Sequence, residues 1–391
     1  MFGLYEMGFA GLTWGSILMF LIGGLLIYLG IAKKMEPVLL VPIGFGILAV
    51  NMPFGGLMIF TPDGFPREAG TIGEAIRAMA DGELGLLNVL YTYGIETEVI
   101  VLLIFLGVGA MTDFTPTISR PISIIFGGTA QLGISVAFLI AYLSGWFAIN
   151  EAVCVGIIGG SDGPPTVYIT TALAPQLLGP IVVVAYSYMA LVPIIQPPII
   201  RLLIPKKQRA IYMKPQMREV SRLELVMFPI VIFIACALLV PKSVPLIGMF
   251  MFGNLLRASG VTDRLFQSAG GPFIDVLTFL LGITVGALMP AEVFLRPQTL
   301  LIVGLAAVAF AFSTAGGLWG AQIVNLFLKE KINPMIGAAG VSAVPMSARV
   351  VQRLGQKENP RNFLLMHAMG PNMAGAIATS VHAGIFLGLL M

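Results

Sequence analysis

One acidic residue stands alone in a long apolar stretch. Asp162 is the only acid between Glu151 and Glu219, and it lies in Gly156-Ile-Ile-Gly-Gly160-Ser161-Asp162-Gly163-Pro164-Pro165-Thr166. Glycines and prolines leave backbone carbonyls and amides without helical partners, and in lipid this is tolerated only inside protein or around a wet cavity. A carboxylate at such depth is costly unless it meets a cation or a proton. Asp162 is read as an ion-binding carboxylate at a broken helix; a helix-capping Asp is the plainer alternative. A second stretch, Asn333-Pro-Met-Ile-Gly337-Ala-Ala-Gly340-Val-Ser342-Ala-Val-Pro345-Met-Ser347-Ala-Arg349, offers Asn and Ser oxygens without a carboxylate. Met369-Gly-Pro371-Asn372 adds an amide beside a helix breaker. One carboxylate with amide, hydroxyl and carbonyl oxygens suits a hard monovalent cation such as Na⁺, whereas imidazole and thiolate would suit a transition metal. Asn333 and Asn372 could equally be hydrogen-bond glue between helices. Tyr186 and Tyr188 follow the first broken stretch and could give a proton or serve only packing. Arg349, seven residues past Ser342, could receive an anionic group or be an ordinary flanking arginine.

The elements that must hold these residues are membrane helices. Of 391 residues 57% are hydrophobic and 10% charged, against about 25% charged in soluble domains, and mean hydropathy is +0.95. A soluble enzyme, a nucleic-acid binder and a disordered regulator are excluded. Cys154 and Cys236 make neither a disulfide framework nor a metal pattern.

Ten spans are expected, near 14–32, 37–53, 97–112, 121–147, 177–203, 223–240, 243–258, 273–290, 299–328 and 361–390. The basic segment 204–222 should be cytoplasmic and the acidic segment 61–98, with Asp63, Glu68, Glu74, Asp81, Glu83, Glu96 and Glu98, external. This sidedness closes only if 152–174 and 334–353 each enter and leave on one side, as re-entrant hairpins with arms of about 15 Å. Shifting the sequence by 180 aligns Gly160 with Gly340, Asp162 with Ser342, Pro165 with Pro345 and Pro180 with Pro360. The expected fold is therefore an all-α polytopic membrane protein. It is an inverted repeat of about five helices plus one hairpin per half: residues 1–203, a cytoplasmic linker 204–222, and residues 223–391.

Gly-Gly-Ser-Asp-Gly-Pro at 159–164, Tyr-Ser-Tyr-Met-Ala-Leu-Val-Pro at 186–193, Gln-Pro-Pro at 196–198, Val-Pro-Met-Ser-Ala-Arg-Val-Val-Gln at 344–352 and His-Ala-Met-Gly-Pro-Asn at 367–372 resemble the β subunit of the sodium-translocating biotin-dependent decarboxylases. These act on oxaloacetate, methylmalonyl-CoA, glutaconyl-CoA or malonate. The resemblance runs from about residue 10 to the end. It implies an elevator-like protein of the bacterial or archaeal cytoplasmic (inner) membrane. It implies a β homotrimer surrounded by lipid and partnered by an α carboxyltransferase, a biotin carrier and a small γ/δ membrane subunit, with no nucleic acid. It further implies that carboxybiotin arriving on a partner is decarboxylated while Na⁺ is exported and a proton consumed. Carried onto this chain, the catalytic set is Asp162, Tyr188 and Arg349. The Na⁺ ligands are Asp162, Asn333, Ser342 and Asn372, with Gly337 and Tyr186 supporting. The sequence has no biotin-attachment Ala-Met-Lys-Met and no Walker motif, so biotin is expected on another chain and ATP is not the energy source. The midplane pattern alone fits a stand-alone Na⁺-coupled secondary transporter or Na⁺/H⁺ antiporter as well; a passive anchor would need neither Asp162 nor broken helices.

Overall fold

The computed structural model describes residues 8–62, 64–214, 218–343 and 345–391. Asp63 of the acidic segment, Val344 of the second broken stretch, residues 215–217 of the basic linker and residues 1–7 of the first half lie outside the described residues.

Helix α1 (Trp14–Ala32) begins where Thr13 Oγ1 accepts from the Ser16 amide, and it stops at Lys33-Lys34. Pro37 opens α2 (Pro37–Val50) at a position where no amide is needed. Next come α3 (Val99–Met111), α4 (Ser123–Leu143), the first broken element and α7 (Leu178–Leu203). The broken element consists of α5 (Ile149–Ile157), a 3-10 turn (Ile158–Gly160) and α6 (Gly163–Leu173). After the basic linker a Ser221/Glu224 capping box starts α8 (Arg222–Leu239). It is followed by α9 (Val244–Ser259), α10 (Asp263–Ala287) and α11 (Pro297–Phe327). The second broken element is a 3-10 helix (Pro334–Gly340) and α12 (Met346–Glu358), and α13 (Leu365–Leu390) ends the fold.

Each of the ten expected spans corresponds to a helix, but among the described residues only seven helices are long and apolar enough to cross a bilayer alone. The spans expected at 37–53, 97–112 and 243–258 are helices of 14, 13 and 16 residues. The second of these joins Leu86–Glu96 through a bend of 62°. In the second, left-handed backbone at Glu98 (φ 63°) stops the helix from extending toward its N-terminus, whereas α2 starts at the expected Pro37 and ends three residues early, at Val50.

Both broken elements return to the end they came from. At the first, Gln176 Nε2 donates to Glu151 Oε1 (3.0 Å) and Gln298 Nε2 to Glu151 Oε2 (3.5 Å), which gathers both ends of the element beside the start of α11. At the second, Asn325 near the end of α11 exchanges hydrogen bonds with Ile332. Arg209 of the basic linker pairs with Glu358 at 3.0 Å, and the Asn333 amide donates to Arg209 O. The 31 residues of α11 run about 46 Å, so the two elements enter from opposite ends of the molecule. Phe65 and Pro66 of the acidic segment share a small recess with Gln176 and Arg296, and this places them at the end opposite the basic linker.

Packing divides the helices into two units. In one, α2 lies against α1 and α10, and α3 against α9. The other holds α4, α11, α13 and the second broken element. Backbone contact there is close enough that a side chain at Gly337 would run into the Gly317 carbonyl. Membrane-facing surfaces are apolar, as Leu18, Leu21 and Leu25 on α1 show. Along α8 only Pro229 is buried.

Candidate functional site

The two broken elements meet at their breaks. Ser161 takes a left-handed conformation (φ 57°) and Asp162 is extended (φ −129°), so the helix cannot continue until Gly163-Pro164-Pro165 restarts it. The Ser342 amide donates to Gly160 O at 3.2 Å, and Ser342 Oγ donates to Asp162 Oδ2 at 3.1 Å. Residues 180 apart in sequence thus touch at the centre of the protein. The Asp162 side chain does not cap α6.

Asp162 is 7% exposed, and among the described residues the single hydrogen bond its carboxylate accepts is the one from Ser342. A buried carboxylate with one neutral donor requires a cation or a proton. Further buried oxygens lie on residues adjoining this pair, in the chain or through Val341. The Asn372 amide nitrogen donates to Ala339 O, Val341 O (both 2.9 Å) and Ser347 Oγ (2.8 Å), while Asn372 Oδ1 is buried without a hydrogen-bond partner. Ser161 Oγ is likewise buried and unpartnered. Among the described residues no three His, Cys, Asp or Glu side chains gather. The donor set is one carboxylate with hydroxyl, amide and carbonyl oxygens, which fits a hard monovalent cation such as Na⁺.

Asp162 and Ser342 border a cavity of about 370 Å³ at the seam between the two packing units. Its wall carries Tyr186, Phe250 and Met111, Met189, Met346, Met369 and Met373. At the end nearer the basic linker it is bordered by Glu36, which opens α2, and by Met346, which opens α12. Arg349 lies one turn farther along α12 and is exposed.

The remaining expected residues divide between this site and its supports. Tyr186 lines the cavity, over Gly163. Tyr188, the expected catalytic tyrosine, is not in the lining. Its hydroxyl donates to Val303 O at 2.9 Å and its ring packs on Phe310, because a two-residue step turns a helical side chain about 200° around the axis. Asn333 is not beside Asp162 either. It caps the 3-10 helix with Oδ1 on the Met335 amide and spends its amide on Arg209 O and Ile211 O, tying the element to the linker. Gly337 is the tight contact with α11. Sequence reasoning passed over Glu36 and Asp275, two further carboxylates in the cavity wall. Glu36, an acid directly before Pro37 at the head of an apolar span, was a visible signal. Gln196, of the Gln-Pro-Pro stretch to which the sequence assigned no role, anchors Ala338 O with its amide at 2.9 Å.

Comparison with known proteins places the sequence. Residues 15–390 match the family described as the Na⁺-transporting oxaloacetate decarboxylase beta subunit. Methylmalonyl-CoA decarboxylase subunit beta of Propionigenium modestum is 50% identical over 385 residues, covering 98% of this chain and 97% of that protein. The subunit of the same name from Veillonella parvula is 46% identical, covering 98% and 96%. The oxaloacetate decarboxylase beta chain of Klebsiella pneumoniae is 43% identical over 418 residues, covering 97% and 96%. With a multi-pass helical fold and a buried carboxylate where two broken elements meet, the chain belongs to the family of Na⁺-transporting decarboxylase beta subunits.

Proposed function

We propose that this chain decarboxylates carboxybiotin delivered by a partner subunit and couples the reaction to Na⁺ export. The observation that carries the reading is Asp162, buried between two broken elements with one neutral hydrogen bond, at the wall of a cavity large enough for a fused-ring ligand. In the reaction the bond between the carboxylate carbon and the biotin nitrogen breaks. CO₂ leaves, the electron pair stays on nitrogen, and one proton is taken up there. Asp162 in its acid form, or the Tyr186 hydroxyl, stands in the same cavity to supply that proton. Proton loss leaves Asp162 a carboxylate able to hold Na⁺ with Ser342 Oγ and Asn372 Oδ1. Competition between H⁺ and Na⁺ for one carboxylate is then the coupling step.

In this reading the two broken elements belong to inverted repeats, and the unit holding them moves relative to the α2/α3/α9/α10 unit. The basic linker faces the cytoplasm, where the carrier arrives. An α carboxyltransferase and a biotin carrier supply carboxybiotin, and a small membrane subunit and a β homotrimer complete the assembly in a bacterial or archaeal inner membrane. The test is flux. In liposomes the isolated chain should show little Na⁺ movement driven by a pH gradient, and carboxybiotin, or the α subunit with its substrate, should start pumping. Robust ²²Na⁺/H⁺ exchange by the isolated chain, indifferent to carboxybiotin, would show an antiporter instead.

A further inference from the structure

Glu36 and Arg349 stand on opposite sides of the seam: Glu36 borders the cavity, and Arg349 lies one turn past Met346, which borders it too. Glu36 heads α2 in one packing unit, and Arg349 is on α12 in the other. An acid before a helix ordinarily turns back to cap it, but Glu36 makes no side-chain cap. Its left-handed backbone, φ 39° and ψ 59°, is an unfavourable conformation for a residue with a side chain, and its side chain borders the cavity. Burial pushes the Glu36 carboxyl up, and the charge of Arg349 acts against this. The two are not in direct contact. Among the described residues the ion pairs within 4 Å are Arg67–Glu83, Arg209–Glu358, Arg218–Glu224 and Arg257–Asp113. Arg349 is therefore an exposed guanidinium with no carboxylate at ion-pair distance, and its charge acts on Glu36 across the seam; Asp275 is a second carboxylate in the same wall.

We propose that Glu36 is a gating residue whose carboxylate competes with the substrate's carboxylate for Arg349, so that the mouth admits a carboxylated ligand and closes on the decarboxylated product. The substrate's identity rests on the reading under Proposed function; the competition itself rests on the placement of the charges. An anion at the mouth gains Arg349 and is repelled by Glu36. Once the carboxylate has left as CO₂ the ligand is neutral, and Glu36 again has Arg349 to itself. Glu36 acts through Arg349 and touches no reacting atom.

The kinetic test uses the whole complex at about 10 mM ionic strength, where charges are screened over about 30 Å rather than 8 Å. Glu36→Gln should lower the half-saturating concentration of free carboxybiotin about threefold or more. It should leave half-saturating Na⁺ unchanged, and the gain should fade at about 0.5 M salt. Glu36→Asp should behave as the parent. An unchanged or raised requirement for carboxybiotin in Glu36→Gln, or an equal shift in the Na⁺ requirement, overturns the proposal. A second arm needs no turnover. With Cys154→Ser and Cys236→Ser as background, Met346→Cys puts a thiol in the cavity wall. Glu36→Gln should raise its labelling by an anionic methanethiosulfonate relative to a cationic one, by about threefold; an unchanged ratio overturns the gate. A parent complex indifferent to carboxybiotin would refute the decarboxylase reading, and the labelling ratio would still decide whether Glu36 gates anions.

Discussion

Gly159→Ala tests whether the first broken element is held in place by backbone contact rather than by the ion. Gly159 lies three residues before Asp162, in the 3-10 turn that ends the first arm. A Cβ built there would sit 2.7 Å from Gly133 C and 2.7 Å from Ile134 N, where ordinary contact begins at 3.4 Å. Both are main-chain atoms of α4 and cannot rotate aside. The turn must therefore retreat by about 0.7 Å, or α4 must bend. Its freedom to retreat is small, since Gly159 O also accepts from Ser313 Oγ at 2.6 Å on α11. Overpacking of this kind costs about 1–3 kcal/mol. Asp162 moves with the turn, and its 3.1 Å contact with Ser342 is already near the long limit for an O–H···O bond. A misplacement of about 1 Å can cost a reaction about a hundredfold. Gly159→Ala should thus raise half-saturating Na⁺ by about tenfold or more while the complex still assembles. The assay is Na⁺-stimulated decarboxylation in the reconstituted complex, with size-exclusion chromatography as the check on assembly. Gly304→Ala on α11 is the control, because a Cβ there meets nothing within 4 Å; it should be neutral or slightly stabilising. If Gly159→Ala keeps the parent's Na⁺ dependence, the backbone contact does not position Asp162.

Other expectations follow from the same contacts. Asp162→Asn should abolish Na⁺-dependent decarboxylation without loss of assembly, and full Na⁺-stimulated turnover would end its assignment. Asn372→Ala strips donors from Ala339 O and Val341 O, both buried, at about 1–3 kcal/mol for a lost buried partner; a clear drop in thermal unfolding temperature in detergent should register it. Tyr188→Phe loses one hydrogen bond to Val303 O, worth about 1 kcal/mol, and should leave half-saturating Na⁺ unchanged. Tyr186→Phe, in the cavity wall, should instead lower kcat, and the opposite ranking would restore Tyr188 to the site. For sidedness, a cysteine at Gln356 should react with a membrane-impermeant maleimide only in inside-out vesicles and one at Glu83 only in right-side-out cells. Labelling of position 356 from outside would overturn the proposed topology.

Composition and local pattern settled the solvent and the break points. A chain this apolar can satisfy its backbone in lipid only as helices, and Gly-Gly-Ser-Asp-Gly-Pro-Pro cannot remain helical in any context, so the element at 152–174 and its isolated Asp162 could be read directly. Helix lengths were less legible, because a positive-φ residue such as Glu98 stops a helix without changing the hydropathy around it. What tertiary structure alone decided is which polar atoms face one another. Ser342 reaches Asp162 across 180 residues, whereas Asn333, on the same element, turns to Arg209 and Ile211 at its foot. Tyr186 and Tyr188, two positions apart, face a cavity and a neighbouring helix. In a helix that apolar neighbours surround on every side, periodicity carries no mark of which face meets water, lipid or ion. That choice is made by the partner helix, and for Glu36 by a seam between two packing units that no local stretch of sequence encodes.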